Sequence, residues 1–504
     1  MDIEFDIQRI GNIISVLLPA RKFKIYCAVT KEDVLPAIED FACRLLILLE
    51  EINAEHLSQY FGLTIRESEI LINSLVEKKL AKFNDNGLLE PSNLLLNKSN
   101  SDFESQTSLI KFEEISENVI FDLLTLKILP NNRYSESKFG LLEIPVANEN
   151  LNISVDQIIE EFSSQFKSFL EVTRKNKKEI ESTKLYKVMH CEKDNLVNIP
   201  LDIEFKLSPS ENFMPNISRE VRSNNRHNFI LSYDLEACIS DFLLKLKPDS
   251  SNGLDFITYC NNFNDNVLIK YYENNQFNFS QWLIDRDNRL TGYGNSDTKG
   301  ILGPIYLEQN SKVFFNELEK VKGNIIKDIK ITSLWLTANT PFWGANGSDL
   351  TKFNDTLIDY LRSEIDEPMI VPFFSHTQNE ITLRNRYSSR LNNGAILFGD
   401  DKIDNVEVLF IKNIIAVVQY HIIPNPDSSI TVPIGYITTD TSRLKKISEF
   451  LDGRLINKHA PKRIWGDFEI SDIFTKDEID NMEKYSSLKV IKKRNFSKEF
   501  NLKK

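Results

Sequence analysis

The chain lacks the patterns that mark the simplest functional classes. Its 504 residues include five cysteines, Cys27, Cys43, Cys191, Cys238 and Cys260, with no CxxC pair and no metal-ligand spacing. Reduced, buried thiols are expected, not a disulfide scaffold or a thiolate metal site. There is no run of eighteen apolar residues, so no membrane-spanning helix and no membrane partner are expected. Asp2, Glu4 and Asp6 stand where a secretory leader would be basic, which predicts a cytoplasmic protein. A glycine-rich phosphate loop ending in Lys-Ser/Thr is missing, as are HExxH and GxSxG. Gly292-Tyr293-Gly294 and Gly344-Ala345-Asn346-Gly347 lack the lysine and helix of a phosphate cradle. His56, His190, His227, His376, His421 and His459 are too scattered for ligand spacing, and no cofactor or metal is expected. The net charge of −12 excludes attraction of nucleic acid by the whole surface but allows a local basic patch.

What is present is enough apolar sequence, 41%, for two to four domains with their own cores. The most organised stretch runs from Pro36 to Pro91. An apolar helix carries Phe41, Leu45, Leu48 and Leu49 on one face. Asn53 caps a short second helix and Gly62 stops it. Thr64, with Glu67 three residues on, opens a third helix as a capping box, and Leu71 and Leu75 repeat at i,i+4 beside Ile72 and Val76. Asn84-Asp85-Asn86-Gly87 then turns a hairpin. This order resembles a winged-helix domain, a helix-turn-helix variant, preceded by strands over Asn12–Leu18 and Phe23–Val29 and filling residues 1–100. The resemblance implies contact with double-stranded DNA through Arg66, Asn73, Ser74, Lys78 and Lys79 of the third helix and Lys82 of the wing. A continuous positive surface is then expected there. Glu67, Glu69, Glu77, Asp85 and Glu90 oppose phosphate, and docking to protein is the alternative use of the same fold.

Residues 101–324 read as a mixed α/β region. Residues 91–107 are a polar loop, and Val119–Ile128 is a strand or short helix. A helix opened by Ser154 carries Ile158, Phe162, Phe166 and Phe169, and Arg174, Lys175, Lys177 and Lys178 near its end are a possible phosphate-facing patch. Asn198–Leu207 alternates as a strand. Residues 208–228 read as a loop in which Arg219, Arg222, Arg226 and His227 concentrate positive charge. A helix over Asp234–Leu246, strands over Leu254–Tyr259 and Val267–Tyr272, and a polar loop over 285–299 follow.

From 325 to 460 strands and helices alternate: strand Ile329–Ala338, helix Leu350–Arg362, strand Met369–Phe374, helix Ile381–Leu391, strand Ala395–Phe398, strands within Val406–Gln419 and Ile430–Thr438, and helix Thr441–Leu451. The fold class expected for the whole is α+β multidomain, a winged helix plus mixed α/β sandwich domains. The element order resembles one lobe of the phospholipase D-like fold. That superfamily places a histidine two residues before a lysine, and an aspartate five beyond it. Here Lys412 matches, Phe410 replaces the nucleophilic histidine, Val417 replaces the aspartate, and Gly435-Tyr436-Ile437-Thr438 loosely echoes the family's later turn. The resemblance implies a lobe kept without its chemistry. The rival is a diverged nuclease or phosphodiesterase in which His227, His376 or His421 meets Lys412. His376 and His421 with Asp400 or Asp440 are a further possible site.

The tail, 461–504, carries eight basic residues against Glu499 from Lys484 onward, including Lys492, Lys493 and Arg494, with Tyr485, Phe496 and Phe500 interleaved. Together these features predict a non-enzymatic DNA-binding component of a larger complex with protein partners, for which bacterial defence against phage is a fitting setting. A pure protein scaffold is the other alternative.

Overall fold

The structure is a computed structural model that describes residues 9–99, 108–130, 140–174, 176–223, 232–246, 253–324, 332–346, 348–364, 367–375, 377–398, 402–426, 428–455, 461–480 and 482. It is a mixed α/β, multidomain architecture built on two large sheets. The two short alternating stretches expected near the start are one long strand, β1 (Arg9–Val34). After it come α1 (Ala37–Leu49), α2 (Ala54–Phe61), α3 (Ile65–Glu77), a hairpin of β2 (Ala81–Phe83) and β3 (Leu89–Pro91), and α4 (Asn93–Ser99).

The local signals in this unit act as their chemistry dictates. The Asn53 carboxamide accepts from Glu55 N–H at 3.0 Å, Gly62 closes α2 in the left-handed region at φ 66°, and Thr64 and Glu67 form the reciprocal capping box. Leu71, Ile72 and Leu75 are buried with Ala42, Cys43, Leu46 and Leu57. The face of α1 is the correction. That helix carries apolar residues on more than one side, and it buries the side bearing Glu39, Ala42, Cys43 and Leu46. Phe41, Leu48 and Leu49, expected inside, are exposed. The polar segment expected as a loop over 91–107 contains α4.

β4 (Ser108–Asp122), β5 (Ile128–Leu129) and β6 (Leu142–Glu143) lead to α5 (Asn148–Leu151), α6 (Val155–Ser164), α7 (Phe166–Thr173) and α8 (Lys177–Ser182). β7 (Thr183–Ser208) and β8 (Asn216–Ser223) complete a six-stranded sheet ordered β5-β4-β1-β7-β8, with β6 parallel to β1. Its strands come from both sides of the boundary expected at 100, because β1 pairs with β4 and β7 along most of its length. Even residues of β1, Ile14, Val16, Leu18 and Ala20, enter one core, whereas odd residues, Phe23, Ile25, Cys27 and Val29, enter another. Alternation places these cores on opposite faces of the sheet. The second is closed by Ile158, Phe162, Phe166 and Phe169, the expected stripe of α6 and α7.

Next come α9 (Tyr233–Lys245), α10 (Phe256–Phe263), β9 (Tyr272–Glu273), β10 (Gln276–Phe277), α11 (Phe279–Asp287), β11 (Thr298–Leu302) and α12 (Glu308–Lys320). The strands expected over Leu254–Tyr259 and Val267–Tyr272 are instead α10 and a 3₁₀ turn, Leu268–Tyr271. Asp255 caps α10 by accepting from Thr258 N–H at 3.0 Å. Phe256, Tyr259, Cys260 and Phe263 then fall on one buried helical face. The expected loop over 208–228 contains β8, an edge strand whose charged residues suit an unpaired edge. The loop expected over 285–299 begins inside α11.

The expected alternation beyond 325 is present: β12 (Thr332–Leu336), α13 (Asp349–Arg362), β13 (Met369–Ser375), α14 (Glu380–Tyr387), β14 (Gly394–Leu397), β15 (Val406–Ile411), β16 (Ile415–Ile422), β17 (Val432–Thr438), α15 (Thr441–Leu455) and β18 (Lys462–Trp465). These strands and β11 form an eight-stranded sheet, ordered β11-β17-β16-β15-β12-β13-β14-β18. It therefore draws on residues either side of the boundaries expected at 324 and 460. β12, β13 and β14 are parallel and the remaining pairings antiparallel. Both faces are buried, which explains strands that are apolar without alternation.

A polar knot joins α10 to this sheet. Tyr436 donates to Phe263 O at 2.5 Å, Arg443 to Asn264 O at 2.5 Å, and Tyr293 to Asp265 Oδ1 at 3.1 Å. Burial outweighs the hydrogen bonds at Asp265 and pushes its carboxyl up to about 6. The folded protein therefore holds this proton more tightly than the unfolded chain, whose aspartate titrates near pH ~3.9. The group's contribution to stability is full below pH ~4, falls by roughly 3 kcal/mol as the pH rises to about 6, and is flat above. Asp265→Asn is expected to remove that fall, measured by denaturant unfolding across the interval. An unchanged slope would contradict it.

Candidate functional site

The residues expected to meet DNA divide into two groups. On α3, Arg66 and Asn73 are exposed, and Lys79 is exposed just beyond its end, at φ 56°. Ser74 and Lys78 turn inward: Ser74 Oγ donates to Glu39 Oε1 at 2.8 Å, and Lys78 Nζ to Glu39 Oε2 at 2.5 Å. They fasten α3 to α1. Lys82 is paired with Glu90 across the hairpin at 2.7 Å. Exposed Ile65, Glu67, Glu69, Ile70 and Glu77 share the outer surface of α3. Arg219 lies on β8 and reaches Glu236 O at 3.4 Å. Arg222 also lies on β8, and Arg226, His227, Lys492, Lys493 and Arg494 lie outside the described residues. Arg174, in the basic stretch after α7, is bonded to Glu117.

The residues aligned with phosphodiesterase chemistry do not converge. Lys412 is exposed in the turn between β15 and β16, whereas Phe410 is buried in one core and Val417 in the other, across the sheet. Gly435 lies within β17, where a Cβ would stand 2.0 Å from Val418 O, so close strand approach requires the glycine. His421 sits near the far end of β16. It lies six residues along the strand from Ile415, beside the turn, which is about 20 Å. The expected meeting of His421 with Lys412 is therefore absent, and Asp440 caps α15, accepting from Arg443 N–H at 2.9 Å. His376 and Asp400 lie outside the described residues.

A different place has the geometry of a site. After β12 the sheet grows toward β13, β14 and β18, and from β15 it grows the other way, toward β16, β17 and β11. Open α/β sheets bind ligands in the crevice at such a reversal, beyond the carboxyl ends of the strands. Asn339 and Thr340, after β12, and Asp404 and Asn405, before β15, line a cleft of about 440 Å³. Phe256, Tyr272, Phe277 and Tyr420 supply aromatic wall. Asn339 holds the rim, donating to Asp404 Oδ2 at 3.0 Å and Thr377 Oγ1 at 2.9 Å and accepting from Gln378 Nε2 at 2.5 Å. Asn405 clasps Leu254 at both ends, accepting from its N–H at 2.7 Å and donating to its carbonyl at 3.1 Å.

His421 forms part of the floor. Its Nε2 is 2.7 Å from Glu407 Oε2, and Glu407 Oε1 accepts from Trp335 Nε1 at 2.8 Å. His421 Nδ1 is 3.4 Å from Thr431 Oγ1. Among the described residues the lining contains Asp255 and Asp404 and no lysine or arginine, a balance that disfavours phosphate. Among the described residues no group of three or more His, Cys, Asp or Glu is arranged to hold a metal ion. Sequence reading placed His421 at a strand end but missed Glu407, Asn339 and Asn405, because only the strand order brings them together. No family model matches the chain, and no curated protein or solved structure matches it.

The His421–Glu407–Trp335 chain is almost wholly buried, so removing the imidazole leaves a Glu407 oxygen without its hydrogen-bond partner in a low dielectric. His421→Ala is expected to cost about 1–3 kcal/mol in urea unfolding. A loss below about 1 kcal/mol would show the pair to be energetically idle.

Proposed function

We propose that residues 35–99 are a winged-helix domain and that the chain is a non-catalytic subunit of a larger assembly, docking through this domain to a partner protein. The observation that carries this reading is the uncovered seam of α1. Ile38, Phe41 and Leu48 are exposed at the a and d spacing of a heptad, Leu48 by 79%, with Leu45 between them half-buried against the core of this unit. More than half of the large apolar side chains exposed among the described residues lie between Ile38 and Leu96. Concentration in one small unit is what marks an interaction surface. The fitting occupant is an amphipathic helix of the partner with its own apolar seam and a basic flank to meet Glu50 and Glu51.

The second reading is attachment to double-stranded DNA, favoured by the exposure of Arg66, Asn73 and Lys79 along the third helix. Pairing of Lys78 and Lys82 with carboxylates leaves this inventory thin, so such binding would be weak, salt-sensitive and indifferent to sequence. The 325–460 region, with the strand at 298–302, is read as an α/β sandwich of phospholipase D-like element order that serves shape and binding. Dispersal of Phe410, Lys412 and Val417 supports a lobe without phosphodiester chemistry.

Two paired measurements separate the readings. Phe41→Glu with Leu48→Glu changes exposed side chains, so thermal stability is expected to hold while co-purification with a reconstituted partner is lost. Arg66→Ala with Lys79→Ala is expected to leave that complex intact. Duplex gel shifts that survive physiological salt and vanish in the Arg66/Lys79 variant would move the conclusion to DNA, and cleavage of the duplex would overturn the non-catalytic assignment.

A further inference from the structure

The six-stranded sheet leaves one face open where β1 passes from its first core to its second. Even-numbered residues of β1 are covered as far as Ala20, but Lys24, Tyr26, Ala28 and Thr30 continue that face with no helix of the described residues against it, while the odd residues beneath are fully buried. The register fixes their neighbours. Tyr26 stands opposite Ser116 of β4 and His190 of β7, Ala28 opposite Glu114 and Lys187, and Thr30 opposite Phe112 and Lys184.

Two aromatic stations result. Phe112 and Tyr186 meet edge to face, 5.2 Å between centroids, across the small side chains of the central strand. Each is 66% exposed, a large uncovered area for rings within a three-stranded sheet. Tyr26 and His190 lie one step along, 5.9 Å apart, with Lys24 Nζ 4.9 Å from the Tyr26 ring. Cross-strand pairing alone would account for their register, but it gives no reason for clustering aromatics with cations on the uncovered face. Among the described side chains of this face Lys24, Lys184 and Lys187 stand with the acids Glu114 and Glu192, and Glu192 is 3.4 Å from His190 Nε2.

We propose that this open sheet face binds single-stranded nucleic acid, with bases stacked on the Phe112–Tyr186 and Tyr26–His190 stations and phosphates against Lys24, Lys184 and Lys187. Stacking on sheet aromatics is tolerant of sequence because every base has a π-face. A flat sheet carrying exposed rings suits unpaired bases, whereas a duplex hides its base faces. The proposal is independent of the docking seam on α1.

The test uses the full chain and short fluorescein-labelled oligothymidine, oligouridine and the matching duplex, followed by fluorescence anisotropy at low salt and over a salt series. Binding to the single strands is expected, with weaker binding to the duplex. The oligothymidine and oligouridine arms show whether DNA or RNA is preferred, and preference for either supports the site. Phe112→Ala with Tyr186→Ala is expected to weaken single-strand binding by at least about tenfold with unchanged circular dichroism. Lys24→Ala with Lys187→Ala, a second variant on exposed positions, is expected to weaken it and flatten the salt dependence. Arg66→Ala with Lys79→Ala should leave it unchanged. No binding at low salt, binding insensitive to both sheet variants, or a protein partner found seated on this face would each overturn the proposal.

Discussion

Hydrogen bonding of β1 on both of its edges is the constraint on which the rest of the structure rests. β4 and β7 run antiparallel to it on either side, and its alternating side chains serve two cores on opposite faces. The first of these cores continues without a break into the eight-stranded sheet, so Ile14 and Val16 belong to the same packed interior as Val408 and Tyr436. A slip of one residue in the pairing of β1 would turn both sets of apolar side chains to the wrong face at once. The bulges that interrupt its ladder with β7, at Ile10/Asn12, Arg21/Phe23, Tyr26/Cys27 and Ala28/Val29, let a strand of this length bend while keeping that parity.

The eight-stranded sheet meets a different demand. Its two faces are both buried, and the polar groups within it must find partners there or carry a desolvation cost. Glu407, His421 and Trp335 satisfy one another, and Gln419 donates to Gly303 O at 2.8 Å. These groups lie on β12, β15 and β16, next to the reversal of strand order. The cleft is thus a place where buried polar chemistry reaches the surface with no lysine or arginine among the described lining residues, unlike the lysine-bearing face of the longer sheet.

Much of the local structure was legible in the sequence. Asn53, Gly62, Thr64 with Glu67, and the 84–87 turn are short-range devices whose geometry is complete within a few residues, and each formed as written. The helices and strands between 332 and 455 were also readable, since apolar strands bounded by capped helices leave little alternative. What escaped depended on partners far away in the chain. β1 looked like two strands because its polar residues are ordinary once two neighbours flank it. Helix α1 has apolar residues on more than one side, and its buried side carries Glu39 and Asp40, so composition gave no sign of which side would be covered. Phe256, Tyr259, Cys260 and Phe263 follow the i, i+3, i+4, i+7 spacing of a helix, but a strand ending at Tyr259 took in only the first two of them, and the Asp255 cap went unread. The cleft was invisible because Asn339 and Asn405 are neighbours only through the order of strands.

The pairing of Val34 with Ser108 carries a mechanical meaning. The three helices and their hairpin enter and leave the fold at the tips of two adjacent antiparallel strands, so they hang from the end of a ribbon rather than on a side of the core. At the ribbon's other end, Asn12 Nδ2 donates to Thr431 O at 2.8 Å, and Thr431 borders the cleft. A single strand, β1, thus runs from the base of the helices to the rim of the cleft, so the two most distinctive parts of the molecule share one continuous length of backbone.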